Sequence, residues 1–217
     1  FCMPVDAINP LCRVLSPIII YLQSHQMSSA MHEAPLRPPI DASVMHLIGH
    51  PLPVLTNLAC TDRGSVDLFM ASLSRPILVS SLSLPTLQTD RGSQIDLHAA
   101  LSCDGARQLE SLGCQYGALK QTKPELALYG LCTHNVDDLA RVRDAMQLPF
   151  ELLSDPDADL ASKLDLPMSQ HNDWALMPCT LLMEEGRILH VDYPIDDVRE
   201  TGVRALELLR KTMDPFV

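Results

Sequence analysis

Two cysteines, Cys103 and Cys114, bracket the stretch CDGARQLESLGC, which lies between two apolar runs of strand length, RPILVSSLSL and ELALYGLCT. A cysteine at the start of a helix faces unpaired backbone amides and the positive end of the peptide dipoles, which favours a thiolate and thiol redox chemistry. Cys103 is therefore a candidate redox residue; Cys114 and Glu110 on the same stretch are candidates beside it, as second thiol and proton carrier. His134 is another: it follows Cys132-Thr133 at the C-terminal end of an expected strand, where α/β sheets place their sites, and imidazole titrates near neutral pH. Arg107, Tyr116, Pro178, Cys179 and the single tryptophan, Trp174, are candidate substrate-binding neighbours. Plainer roles stay open for each. Cys103 and Cys114 suit small half-buried thiols, Cys132 and Cys179 suit core thiols, His134 suits a helix cap, and Trp174 suits packing.

The elements that must position these groups can be read from period and punctuation. RPILVSSLSL (75–84) is a buried strand ended by Pro85, and PTLQTDRGSQIDLHAALS after it reads as a polar loop. A helix is expected from about Asp104 to Gln121. ELALYGLCT is the next buried strand, and NVDDLARVRDAM is a helix with an Asn cap and acidic first turn. FELLSDPDADLASKLDL is a short strand, an Asp-Pro-Asp turn and a short helix; its acidic run reads as turn and cap rather than a calcium loop. CTLLMEEGRILHVDY is a hairpin turning at Glu184-Glu185-Gly186, and DDVRETGVRALELLRKTM is a closing amphipathic helix. Upstream, LPVLTNLACTDRGSVDLFMAS reads as a strand pair turning at Asp62-Arg63-Gly64, with Gly64 supplying the positive φ. Residues 1–43, with Ser- and Pro-rich MSSAMHEAPLRPPIDAS, are expected to be an irregular extension; residues 44–217 form the domain. The fold class expected is α/β: a mixed β-sheet flanked by helices, with an N-terminal β-hairpin added.

The bulk numbers bound the partners. A formal net charge of -11, with Lys and Arg scattered, argues against nucleic acid, which needs a concentrated basic surface. Seven cysteines without a CxxC pair, and eight dispersed histidines, show no zinc-like spacing and suit free thiols in a reducing, cytoplasmic setting. No metal and no cofactor is expected. LCRVLSPIIIYLQ is apolar but broken by Arg13 and Pro17, and no run approaches the roughly 20 apolar residues that span a bilayer. Aromatic residues at 4% leave the core to Leu, Ile, Val, Ala and Met.

From about Leu47 to Arg210 the sequence resembles the peroxiredoxins, in particular the bacterioferritin-comigratory and redoxin type. LPFELLSDPDADLASKLDLP (148–167) is its most specific piece; YGLCTHNVDDLAR and TLLMEEGRILHVDYP also resemble family segments. The resemblance implies a thioredoxin-like fold, a helix-start cysteine that attacks peroxide, a second cysteine that resolves it, and thioredoxin or glutathione as reductant, with a homodimer as the assembly. Gly105-Ala106-Arg107 match the approach to that site, Cys114 falls at the resolving position and Tyr116 follows it. Leu109 occupies the peroxidatic position, Glu110 replaces a hydroxyl residue, Gly117 replaces an arginine, and Pro178 falls near the place of the other arginine. The resemblance therefore implies a degenerate peroxidatic site. Three readings follow: a residual thiol oxidoreductase working through Cys103 and Cys114; a non-peroxidatic enzyme using a vacated apolar pocket beside Leu109 on an organic small molecule, with Glu110, His134, Tyr116 or Cys179 carrying protons; or a non-catalytic binding protein. The same resemblance makes Pro178-Cys179-Thr180 similar to the thioredoxin cis-proline segment, with a simple strand-opening proline as the alternative.

Overall fold

The computed structural model describes residues 41–54, 57–89, 92–169 and 175–213. Trp174 and residues 1–40 lie outside the described residues. In chain order the elements are β1 (Asn57–Cys60), β2 (Ser65–Asp67), α1 (Leu68–Ser74), β3 (Ile77–Ser81), β4 (Thr86–Thr89), β5 (Gly92–Ile95), α2 (Leu97–Ala100), α3 (Asp104–Thr122), β6 (Ala127–Cys132), α4 (Val136–Met146), β7 (Glu151–Ser154), α5 (Asp159–Lys163), β8 (Cys179–Glu184), β9 (Arg187–Asp192) and α6 (Thr201–Met213). A 3-10 helix, Ala42–Leu47, precedes β1 and buries Val44 and Leu47.

Seven strands form one mixed sheet in the order β2-β1-β7-β6-β3-β8-β9. β3 and β6 run parallel, as do β6 and β7, while β8 lies antiparallel against β3 and the β1–β2 hairpin joins the edge of β7. This is the thioredoxin-like α/β arrangement with an added N-terminal hairpin. Strand alternation divides the core in two. Ile77 and Val79 of β3 face one cluster with Leu68, Leu160 and Leu164; Leu78 faces the other with Leu109, Leu112, Leu139 and Leu209. α3 and α6 thus cover one face of the sheet. Gly202, in the first turn of α6, lets the two helices approach: a Cβ there would lie 2.2 Å from the Ser111 carbonyl oxygen. A partly buried ion pair from Arg204 to Asp192 (2.6 Å) ties α6 to β9.

Four expectations need correction. The stretch after β3 is not a plain loop: β4 and β5 pair as a hairpin and α2 follows. Its Thr, Gln and Ser residues carry no apolar alternation, so a strand period was invisible there. The DLFMAS segment leaves the strand pair and turns helical as α1, with the Asp67 side chain accepting from Met70 N at 3.1 Å. In the β1–β2 turn the positive φ belongs to Arg63 (72°), not Gly64. The Asp62 carboxylate accepts from Gly64 N at 2.7 Å, and a Cβ on Gly64 would sit 2.9 Å from that oxygen. Glycine leaves room for the Asp62 carboxylate here and does not serve a positive dihedral. Last, the Met177–Pro178 bond is trans; the cis bond among the described residues is Tyr193–Pro194.

Candidate functional site

The parallel pair β3 and β6 ends at Ser81 and Cys132, and the N-terminus of α3 is packed against the chain leaving β3. Gly105 makes this approach sterically allowed: a Cβ there would fall 2.2 Å from Ser83 O and 3.1 Å from Leu84 Cδ2. Cys103 is the N-cap of this 19-residue helix. Its half-buried sulfur accepts from Ala106 N at 3.4 Å and donates to Ala100 O at 3.0 Å. Asp104 and Arg107 stand beside it, paired at 2.7 Å and both exposed.

Behind Cys103, at the end of β6, Cys132 donates to Leu82 O at 3.2 Å. Burial first, and then the nearness of Cys103, push the Cys132 thiol far above its usual range. His134 follows on the turn into α4. Neither ring nitrogen finds a hydrogen-bond partner among the described residues. Burial holds this imidazole below its ordinary value, opposed by the Asp138 charge and the nearby Leu84 backbone, so it is neutral at physiological pH. Asp138 itself is occupied: it accepts from Asn135 and Arg141 side chains and from Ile95 N.

The structure does not gather the remaining candidates around the helix start. Leu109 lies in the second turn of α3 and is 0% exposed, packed in the core against the β6 backbone. Gly130 makes room for it, since a Cβ there would meet Leu109 Cδ2 at 3.2 Å. Leu109 therefore fills core space rather than lining a helix mouth. Glu110 points outward on the exposed face. Cys114 is exposed on α3, about 16 Å from Cys103 along the helix axis at a rise of 1.5 Å per residue, whereas a disulfide needs Cα atoms within about 7 Å. Tyr116, more than three turns from the helix start, stacks on Phe150 with ring centroids 6.3 Å apart. Pro178 opens β8, and Cys179 is wholly buried, its thiol pushed up by burial and then by the Asp192 charge. The five described cysteines are all outside disulfides.

Sequence reading missed one polar group set. Gln108, 0% exposed, donates from Nε2 to Ser80 Oγ at 2.7 Å and to Ser81 O at 3.0 Å; Ser80 Oγ lies 3.2 Å from Thr180 Oγ1. Its Oε1 finds no donor among the described residues. The available signal was a pair of serines inside an otherwise apolar central strand, which demands a polar partner on a covering helix. The acidic run after β7 is accounted for too. Asp155 accepts from the amides of Asp159, Leu160 and Ala161 (2.9, 3.3 and 3.0 Å) and so starts α5. Among the described residues no group of three His, Cys, Asp or Glu side chains is placed to hold a metal ion. A cleft of about 570 Å³ opens between β1, β7 and the start of α4, lined by Asn57, Asn135, Ser154 and Asp157 among others. None of the candidate site residues lines it. Among the described residues no helix is long and apolar enough to cross a membrane.

With these positions known, comparison with solved structures decides the architecture. A cysteine-to-serine mutant of PrxQ from Xylella fastidiosa superposes with a TM-score of 0.60 at 13% identity, covering 77% of this chain and 97% of that one. The fold is that of the peroxiredoxins. Peroxidoxin BcpB of Mycobacterium tuberculosis (TM-score 0.53, 16% identity, 75% and 96% covered) and a thiol peroxidase of Chromobacterium violaceum (0.52, 19%, 77% and 88%) have the same peroxiredoxin fold. No family model and no curated protein matches the sequence. At these identities the likeness concerns the fold.

Proposed function

We propose that the chain is a peroxiredoxin-like thiol oxidoreductase with a degenerate peroxidatic site, in which Cys103 is the redox-active sulfur. The observation that carries this reading is the position of its Sγ as the cap of α3, with the Ala106 amide at 3.4 Å, at the C-terminal edge of the parallel strands. The degeneracy rests on two features. Leu109 is enclosed in the core, and Arg107, the nearest guanidinium in sequence, is paired with Asp104. Hydroperoxides are the oxidants proposed, thioredoxin or glutathione the reductant, and a homodimer the assembly, all on the strength of the fold. Cys114 is not assigned a part in the first step, because its distance separates it from Cys103.

Peroxide consumption by the purified protein, with a thiol reductant present, tests this. Cys103→Ser is expected to lower the rate at least about tenfold, equivalent to about 1.4 kcal/mol of barrier. Unchanged consumption in that variant overturns the assignment. The closed core around Leu109 supports a different reading, a non-catalytic binding protein, and a parent protein with no consumption at all would select it.

A further inference from the structure

We infer that the cleft where β7 ends is a docking groove for an extended peptide segment carrying a lysine or arginine, which adds to the open edge of β1. The cleft lies apart from Cys103, which does not line it. Two backbone bonds fix which way each residue of β1 faces. Thr61 N donates to Leu152 O of β7 at 3.1 Å, and Cys60 N donates to Gly64 O on the β2 side at 3.0 Å. Facing alternates along a strand, so Ala59 and Asn57 turn their N–H and C=O toward β7, as Thr61 does. Ala59 finds Ser154 there, in register. Asn57 has no strand partner on that side among the described residues, because the ladder stops at the Ala59–Ser154 pair.

The turn into α5 is what ends the ladder. Asp155 N still donates to Cys132 O at 2.8 Å, and Ala158 N then donates to Asp155 O at 3.0 Å, so the chain swings away from β1. Pro156, which continued pairing would set opposite Asn57, has no N–H to give. The space left is the cleft of about 570 Å³, whose lining includes apolar Ala59, Val136 and Pro156 and the amide-bearing Asn57 and Asn135. A strand edge left open beside a groove captures extended peptides: main-chain bonds give affinity, and the groove selects side chains.

Charge selects the occupant. Among the described residues no Lys, Arg or His lines the cleft, whereas Asp155, Asp157 and Asp159 do. Two of these are committed: Asp155 accepts from three amides at the start of α5, and Asp159 pairs with Lys163 at 2.6 Å. Asp157 is exposed and in no ion pair among the described residues, and the same holds for Asp137, next to Val136 in the first turn of α4. Two carboxylates without cations, in a chain of formal net charge -11, attract a cationic side chain on the segment and repel an acidic one.

Panning a library of random linear hexapeptides against the full chain, then mapping a synthetic copy of the enriched sequence by amide NMR, tests this. Enriched hexapeptides are expected to carry Lys or Arg and to shift the amides of Asn57, Leu58, Ala59 and Val136 while leaving that of Cys103 unmoved. N-methylating every second peptide amide is expected to weaken binding about tenfold in one phase and little in the other, because only one set of amides faces β1. Asp157→Asn is expected to weaken binding about threefold, the scale of an exposed charge. No enrichment, enriched sequences without a basic residue, or shifts centred away from Asn57–Ala59 overturn the inference. Equal affinity of the parent peptide and both N-methylated forms overturns it too, by removing the strand addition.

Discussion

One helix carries two regions with opposite freedoms. At its first turn, α3 presents a half-buried sulfur that accepts from the Ala106 amide, and two exposed charges. In its second and third turns it presents Gln108, Leu109 and Leu112, all wholly buried and held by the sheet. The proposed chemistry and the packing are thus separated by about one turn. The family resemblance directs attention to Leu109, where a sulfur is missing; the structure places that residue on the packing side of the divide, and the sulfur at the cap instead.

Substitutions on either side sharpen the contrast. Leu109→Ala is expected to cost about 2–5 kcal/mol in denaturant unfolding, the range for emptying a closed core site. A cost under about 1 kcal/mol would mean that Leu109 borders open space. Gln108→Ala is expected to lose about 1–3 kcal/mol, because Ser81 O and Ser80 Oγ lose their buried donor. Asp155→Ala removes the acceptor for three amides at the start of α5 and is expected to cost about 0.5–2 kcal/mol. It should leave Cys103 chemistry untouched.

The smallest effect is a pH dependence. The folded protein holds His134 below its ordinary value of 6.5, so the unfolded chain binds more protons in that range. Stability contributed by the neutral imidazole is complete above about pH 6.5 and is lost as pH falls from there through the depressed folded value. His134→Gln should flatten the acid side of a stability-against-pH curve. An unchanged slope would mean that the ring is better solvated than its surroundings indicate.

Much of the architecture was legible. α3 was expected over 104–121 and runs Asp104–Thr122; α4 begins after its Asn135 cap, whose side chain accepts from Asp138 N. The β8–β9 turn matches its Glu185-Gly186 signal, both residues having positive φ (53° and 74°). These features are local, so the sequence announces them. α1 was hidden because seven residues give too short a period to separate from a strand. The site was less legible for a different reason. Leu109 of α3 packs over Gly130 of β6, whose missing side chain leaves the space, and the tie between Gln108 and Ser80 spans distant elements. Such pairings are long-range, and neither residue signals them alone.

Trapping sulfenic acid cysteine by cysteine across a hydrogen peroxide titration of the native protein tests the central claim most directly. The adduct is expected first at Cys103, far later at exposed Cys114, and at buried Cys132 and Cys179 only after unfolding. An adduct that appears first at Cys114, or spreads evenly over the cysteines, contradicts the claim that the cap of α3 is the reactive position.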